Sequence, residues 1–234
     1  MLKFSPILLA LIMGVAMWFF SSWRLRRELD ARSTPLTDPV ICAHIACMAR
    51  ALGLERIPVH VYETPTINGL AAPDGRVFVT RGFLDRYRRG EITGEELASV
   101  IAHELGHVAL GHSRRRMIDF AGQNAIRVAL GMVLGRLIPF AGMWLANLAA
   151  SLVAARLSRQ DEFEADAYAA ALMVKAGLGT GPQKSMFAKL RRLAPAGGAQ
   201  FAWLMSHPGI ADRIAAIETL EKGWQAGPPS EAAG

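Results

Sequence analysis

The stretch SVIAHELGHVALGH, residues 99–112, holds His103, Glu104, His107 and His112, so half of the chain's six histidines fall within ten positions. Side chains four residues apart on a helix share one face, about 6 Å apart along the axis. Two imidazoles so placed, His103 and His107, can both reach one divalent cation at metal–nitrogen distances of about 2.0–2.1 Å. Glu104 is adjacent to the first histidine and therefore flanks the ion instead of binding it. Zinc lowers the pKa of its water towards about 7, and a neighbouring carboxylate can take the proton. The HExxH spacing thus points to metal-assisted hydrolysis, with Zn2+, one ion per chain, as the expected cofactor.

A third ligand is required. A histidine-rich continuation of the motif would place glycine at 110 and histidine at 113, but Leu110 and Ser113 stand there and His112 is one residue out of register. The acidic run DEFEAD, residues 161–166, is the best supplier. Glu162 and Asp166 are four apart on an expected helix, so one can bind the ion while the other orients a ligand histidine. Phe163, Ala165, Ala167, Tyr168 and Ala169 give that helix a buried character, and buried carboxylates need a partner. Spacing alone leaves open which carboxylate does which.

The elements that must position these groups read as follows. Asp38 with Pro39 caps a helix to about residue 51, ended by Gly53. IPVHVYE (57–63) and RVFVT (76–80) alternate and are β-branched, as strands are. A short segment at 66–71 and a Pro-Asp-Gly turn lie between them, which predicts a small antiparallel sheet of about three strands. A short helix follows at 83–89. Thr93 and Glu96 form a capping box for the helix bearing His103 and His107. Further helices are expected from about Arg156 to Gly177, at 182–193 and at 210–221. The fold class is α+β, predominantly helical. Cys42 and Cys47, the only two cysteines, fit no metal-ligand spacing and read as reduced, buried small residues.

Of the 234 residues, 52% are hydrophobic, and the net charge is +6. Residues 5–23 carry no charge, reach about the length of a bilayer span, and end in Trp18 and Trp23. An uncleaved transmembrane anchor is expected over a secretory signal, because FFSSWRLRR offers a poor cleavage site. Lys3 precedes the stretch and four arginines follow it, which places the bulk of the chain in the cytoplasm, the periplasmic side being the alternative. Arginine clusters at 24–32, 86–89 and 114–116 suit phosphate. With no aromatic-interleaved basic stripe, a lipid bilayer is the expected partner and nucleic acid is not. Residues 117–157 are apolar over a long run broken at Pro139 and read as a helical hairpin at or partly in the membrane. The organisation is therefore an anchor and basic flank at 1–30, a linker at 31–39, a domain over 36–222, and a disordered tail at 223–234.

HELGH, then SRQDEFEAD, then SHPGIADR (206–213) resemble, in order, the motifs of membrane-associated zinc metallopeptidases of the HtpX and CAAX-prenyl-protease type, which are gluzincins. The resemblance runs from about residue 36 to 222. It implies a zincin-like metallopeptidase domain in which His103, His107 and Glu162 bind zinc and Glu104 is the general base. Asp166 becomes the carboxylate behind a ligand, and His207 and Arg213 match the His-Pro…Arg element. His207 then either stabilises the oxyanion of the attacked carbonyl or closes the zinc site in a resting state. INGLA (67–71) resembles the edge strand that pairs with extended substrate, which assigns Asn68 and Gly69 to substrate binding; Gly69 and Leu70 depart from the usual Ala and Phe. The implied activity is endopeptidase cleavage of protein or peptide substrates in membrane-protein quality control. A non-catalytic zinc protein with a closed site, such as a chaperone or assembly factor, is the rival.

Overall fold

The structure is a computed structural model that describes residues 5–72, 74–112, 115, 142–193, 203, 207 and 210–226. Its elements are α1 (Ser5–Arg32), β1 (Ser33–Pro35), α2 (Pro39–Leu52), β2 (Val59–Tyr62), β3 (Gly69–Ala71), β4 (Val77–Thr80), α3 (Arg81–Arg88), α4 (Gly94–Ala109), α5 (Gly142–Lys175), α6 (Gly181–Leu193) and α7 (Ile210–Ala226).

The local signals work as their chemistry requires. Asp38 accepts hydrogen bonds from the backbone N–H groups of Val40 and Ile41 at the start of α2, and Gly53 closes that helix in the left-handed region at φ +70°. At α4, the Thr93 hydroxyl accepts from the Glu96 N–H while the Glu96 carboxylate accepts from the Thr93 N–H. Glu96 also takes a hydrogen bond from Ser185 and an ion pair from Lys189, which ties α4 to α6.

The four strands form one mixed sheet in the order β1-β2-β4-β3. This corrects the expected three-stranded antiparallel sheet. β2 and β4 pair parallel, with Val59 opposite Val77 and Tyr62 opposite Thr80. β3 crosses over to the far side of β4, and its other edge has no strand partner among the described residues. The fourth strand, Ser33–Pro35, lies in the expected linker; it is short and carries a proline, which only a sheet edge tolerates.

The core lies between the sheet and the helices. Val59, Val61, Val77 and Val79 from the strands meet Leu97, Ala98, Val100 and Ile101 of α4, with Met173, Phe187 and Trp203 on the other side. α4 is therefore enclosed, packed against α2, α5, α6 and β3.

One membrane expectation is corrected. Residues 5–23 form the first part of the single helix α1, which runs on through Arg24, Arg26, Arg27, Glu28 and Asp30. Among the described residues no helix is long and apolar enough to cross a membrane. α1 docks on the sheet through Leu29, buried with Ala72 and Phe78, while Leu8, Ile12, Phe19, Phe20 and Trp23 stay exposed. Residues 142–157 begin the continuous helix α5, which does not restart at Arg156. The remainder of the expected hairpin, 117–141, lies outside the described residues. Of the expected tail, residues 223–226 belong to α7, and 227–234 also lie outside the described residues. Cys42 and Cys47 are free and half-buried, not buried.

Candidate metal centre

α4 and α5 cross at their smallest residues. A methyl group at Gly106 would sit 2.9 Å from the Ala165 carbonyl oxygen and 3.0 Å from its Cα. Glycine in the middle of HELGH thus lets the two backbones touch, and that contact brings the carboxylates of α5 up to the histidines of α4.

Four donor groups converge there: His103, His107, Glu162 and His207, all buried, with Glu162 at 0% exposure. The Nε2 atoms of His103 and His107 are 3.1 Å apart. Each lies 3.5 Å from a Glu162 oxygen, and His207 Nε2 lies 3.9 Å from Glu162 Oε2. A tetrahedral ion with bonds of about 2.0–2.1 Å spans ligand edges of about 3.3 Å, so this donor set fits one such cation. Its chemistry fits as well: two imidazoles, a third on the rim and an enclosed carboxylate are ligands suited to zinc. Glu104 Oε1 stands 3.7 Å from His207 Nε2, beside the group and not within it.

The support behind His103 is a buried ion pair. Asp166 Oδ1 accepts from His103 Nδ1 at 2.9 Å. Arg213 grips the same carboxylate with Nε and Nη2, the latter at 2.7 Å, and its Nη1 reaches Glu162 Oε2 at 3.3 Å. Arg213 is 1% exposed and lies over the rings of Phe187 and Trp203, 4.6 and 5.1 Å from their centres. Gln183 donates to the Asp166 carbonyl from α6.

These contacts tune the charges. Burial lowers the His103 pKa, but hydrogen bonds to Asp166 and Glu162 outweigh it and raise the group to about 9 without a metal. Burial raises Glu162, and the His103 hydrogen bond with the charges of His207, His103 and Arg213 reverses the shift to a net lowering. The pocket therefore demands positive charge at its centre, and a proton supplies it when no metal does. For His207, burial and then the His103 charge push the pKa down to about 3.

His207 stacks on Trp203, with ring centres 4.7 Å apart. Its Nδ1 lies 3.1 Å from the Trp203 carbonyl oxygen. A carbonyl only accepts, so Nδ1 carries the proton and the neutral ring turns the lone pair of Nε2 toward Glu162 and Glu104.

The remaining sequence-derived residues sit alongside. Gly69 begins β3, and a Cβ there would approach Glu104 Oε1 to 3.0 Å and Val100 Cγ1 to 3.1 Å. Its departure from alanine has a steric cause: the sheet edge runs against Glu104. Asn68 bonds Thr80 through its backbone N–H and carbonyl; its Oδ1 is buried with no hydrogen-bond partner among the described residues. Thus His103, Glu104, His107, Glu162, Asp166, His207, Arg213 and Gly69 come together, with Asn68 next to them.

Sequence reasoning missed Trp203 and Gln183, for which no spacing or motif gives a signal. It also set His112 aside as out of register, although His112 is buried 2.7 Å from His107.

The fold and site define a metal-dependent peptidase, and comparison with known proteins agrees. The sequence signature of Peptidase family M48 matches residues 35–221. Metalloprotease LoiP of Escherichia coli (strain K12) is 32% identical over 192 residues, covering 80% of this chain and 73% of that protein. Metalloprotease YcaL of the same organism is 34% identical over 173 residues, 72% of this chain and 65% of YcaL, so just under two thirds of YcaL is spanned. A protease HtpX homolog of Listeria monocytogenes serotype 4a (strain HCC23) is 35% identical over 74 residues, 30% of this chain and 23% of the other. The chain belongs to peptidase family M48, and the resemblance read from its motifs is borne out.

Proposed function

We propose that the chain is a membrane-associated, zinc-dependent endopeptidase of the gluzincin type, acting on protein substrates in membrane-protein quality control. The observation that carries the reading is the convergence of two imidazole Nε2 atoms and a buried Glu162 carboxylate, with a further carboxylate alongside. His103, His107 and Glu162 would hold the ion. A zinc ion bound there supplies Lewis acidity that polarises a carbonyl and makes water a nucleophile near neutral pH.

The chain's own groups do the rest. Glu104, enclosed beside the donors, accepts a proton from the attacking water and delivers it to the leaving amine. Asp166 and Arg213 hold His103 in one orientation. The open edge of β3, pressed against Glu104, is the place where an extended peptide adds as a strand, Asn68 Oδ1 offering an acceptor at its start. The exposed apolar residues Leu8, Ile12, Phe19, Phe20 and Trp23 of α1, with Trp144 and Leu152 on α5, support contact with a bilayer. Glu104→Gln is the test. It lowers casein cleavage by about 10²–10⁴-fold while zinc content stays near one equivalent; undiminished cleavage ends the proposal.

A second reading rests on His207. Its Nε2 lone pair faces the donor group, as a fourth ligand's would, and not as an N–H donor to an oxyanion. A centre so closed is either resting or non-catalytic. Inhibition by a hydroxamate, together with higher cleavage by His207→Ala, identifies a resting state; no cleavage by either protein identifies a closed structural site.

A further inference from the structure

A second cluster flanks the candidate centre on the side away from Asp166. His112 is 1% exposed, with Nδ1 2.7 Å from His107 Nδ1 and ring centres 4.9 Å apart. Its Nε2 is 3.2 Å from Glu164 Oε2 and 3.8 Å from Asp161 Oδ1. Arg115 Nη1 bridges both carboxylates at 2.8 and 3.2 Å, and Gln160 donates to the other Glu164 oxygen at 2.9 Å. Gly111 makes the arrangement possible. At φ +66° it turns the chain back after α4. On a continued helix, five residues advance about 500°, which would put His112 well off the face of His107.

From this geometry we infer that His112 is a positioning residue for metal binding, linking His107 to the Glu164–Arg115 ion pair through a chain of neutral hydrogen bonds. The inference rests on His107 being a ligand. If Nε2 of His107 faces the ion, its Nδ1 carries the proton and donates to Nδ1 of His112. The His112 proton then sits on Nε2 and donates to Glu164. Every donor meets an acceptor in one tautomer set, and His107 is held in a single ring orientation. The same three side chains, His112, Asp161 and Glu164, also have the makings of a cation site. Arg115 already places a cation between the carboxylates, so the cluster serves as a support.

The test is competitive zinc titration of the full chain, with the visible absorption of the Co2+ form as a second readout. Wild type is expected to bind one equivalent. His112→Ala still binds one equivalent, about 10–100-fold more weakly, with a shifted Co2+ spectrum. His112→Asn, whose Oδ1 can accept from His107, recovers most of the affinity. Glu164→Ala, a change at a half-exposed position, falls between wild type and His112→Ala and serves if the alanine variant at 112 does not fold. Wild-type affinity in His112→Ala, or in Glu164→Ala where the former is unfolded, overturns the inference alone. So does a wild type that binds two equivalents with one lost in His112→Ala. A wild type that takes up no ion removes the inference and the metal reading together.

Discussion

His103 and His107 leave the same helix four residues apart, and what stands behind each ring differs. Behind His103 is a carboxylate locked to a guanidinium, both closed off from solvent. Behind His107 is another imidazole, and the charges come one residue later, at Glu164 and Arg115, which are 32% and 43% exposed. The carboxylates of both supports come from α5: Asp166 on one side of the helix, Asp161 and Glu164 on the other, with Ala165 between them against Gly106. A charge buried beside a ligand gives a stiff support that depends on its partner. A neutral relay with its charges near solvent gives a softer one. The two ligands should therefore respond unequally when their supports are cut.

The largest effect falls on the buried side. Asp166→Asn leaves Arg213 enclosed with only its Nη1 contact to Glu162, which costs up to about 3–5 kcal/mol. Zinc content falls with it. Thermal melts and metal analysis read both, and a variant as stable as wild type would erase the contrast. Gly106→Ala acts on both supports at once. The added methyl meets the Ala165 backbone and costs about 1–3 kcal/mol by overpacking, and zinc binding weakens as α5 retreats. A normal affinity in that variant would show that the helix contact does not set the ligand spacing.

Removing the ion is the next step down. Zinc at 100 times its Kd raises the unfolding free energy by about 2.7 kcal/mol, and a chelator abolishes the gain. Melts with and without chelator measure it. The smallest effect is on the solvent side. The Arg115 hydrogen bond, then that of Gln160, hold Glu164 down to about 2 from an ordinary 4.5. A lowered carboxylate contributes stability that is present above the ordinary value and lost as pH falls toward 2. Urea midpoints of wild type and Glu164→Gln should differ above about pH 5 and draw together only as pH falls toward 2; a constant gap would mean that Glu164 acts through shape alone.

Much of this centre is legible in the sequence because helical periodicity fixes which residues share a face. HELGH places two of the proposed ligands in that way, and EFEAD supplies Glu162 and Asp166 on one face while leaving open which of them takes which role. The capping box at Thr93 and Glu96 marks the start of α4 by the same kind of local rule. What escapes has non-local causes. His112 is read as out of register because a left-handed glycine, not the helix, carries it to His107. Trp203 is placed by contacts across the fold, its backbone N–H donating to the Ile67 carbonyl. Alternation finds β2 and β4 but not their parallel pairing, which depends on β3 crossing to the outer edge. The apolar run before Arg156 suggests a separate membrane element, whereas its described part is the opening of α5.

Arg213 reaches His103 across 110 positions of sequence. A growing polypeptide that has finished α4 and α5 still holds Glu162 and Asp166 without their guanidinium. The buried ion pair behind His103 is thus complete only once α7 has been translated and has docked.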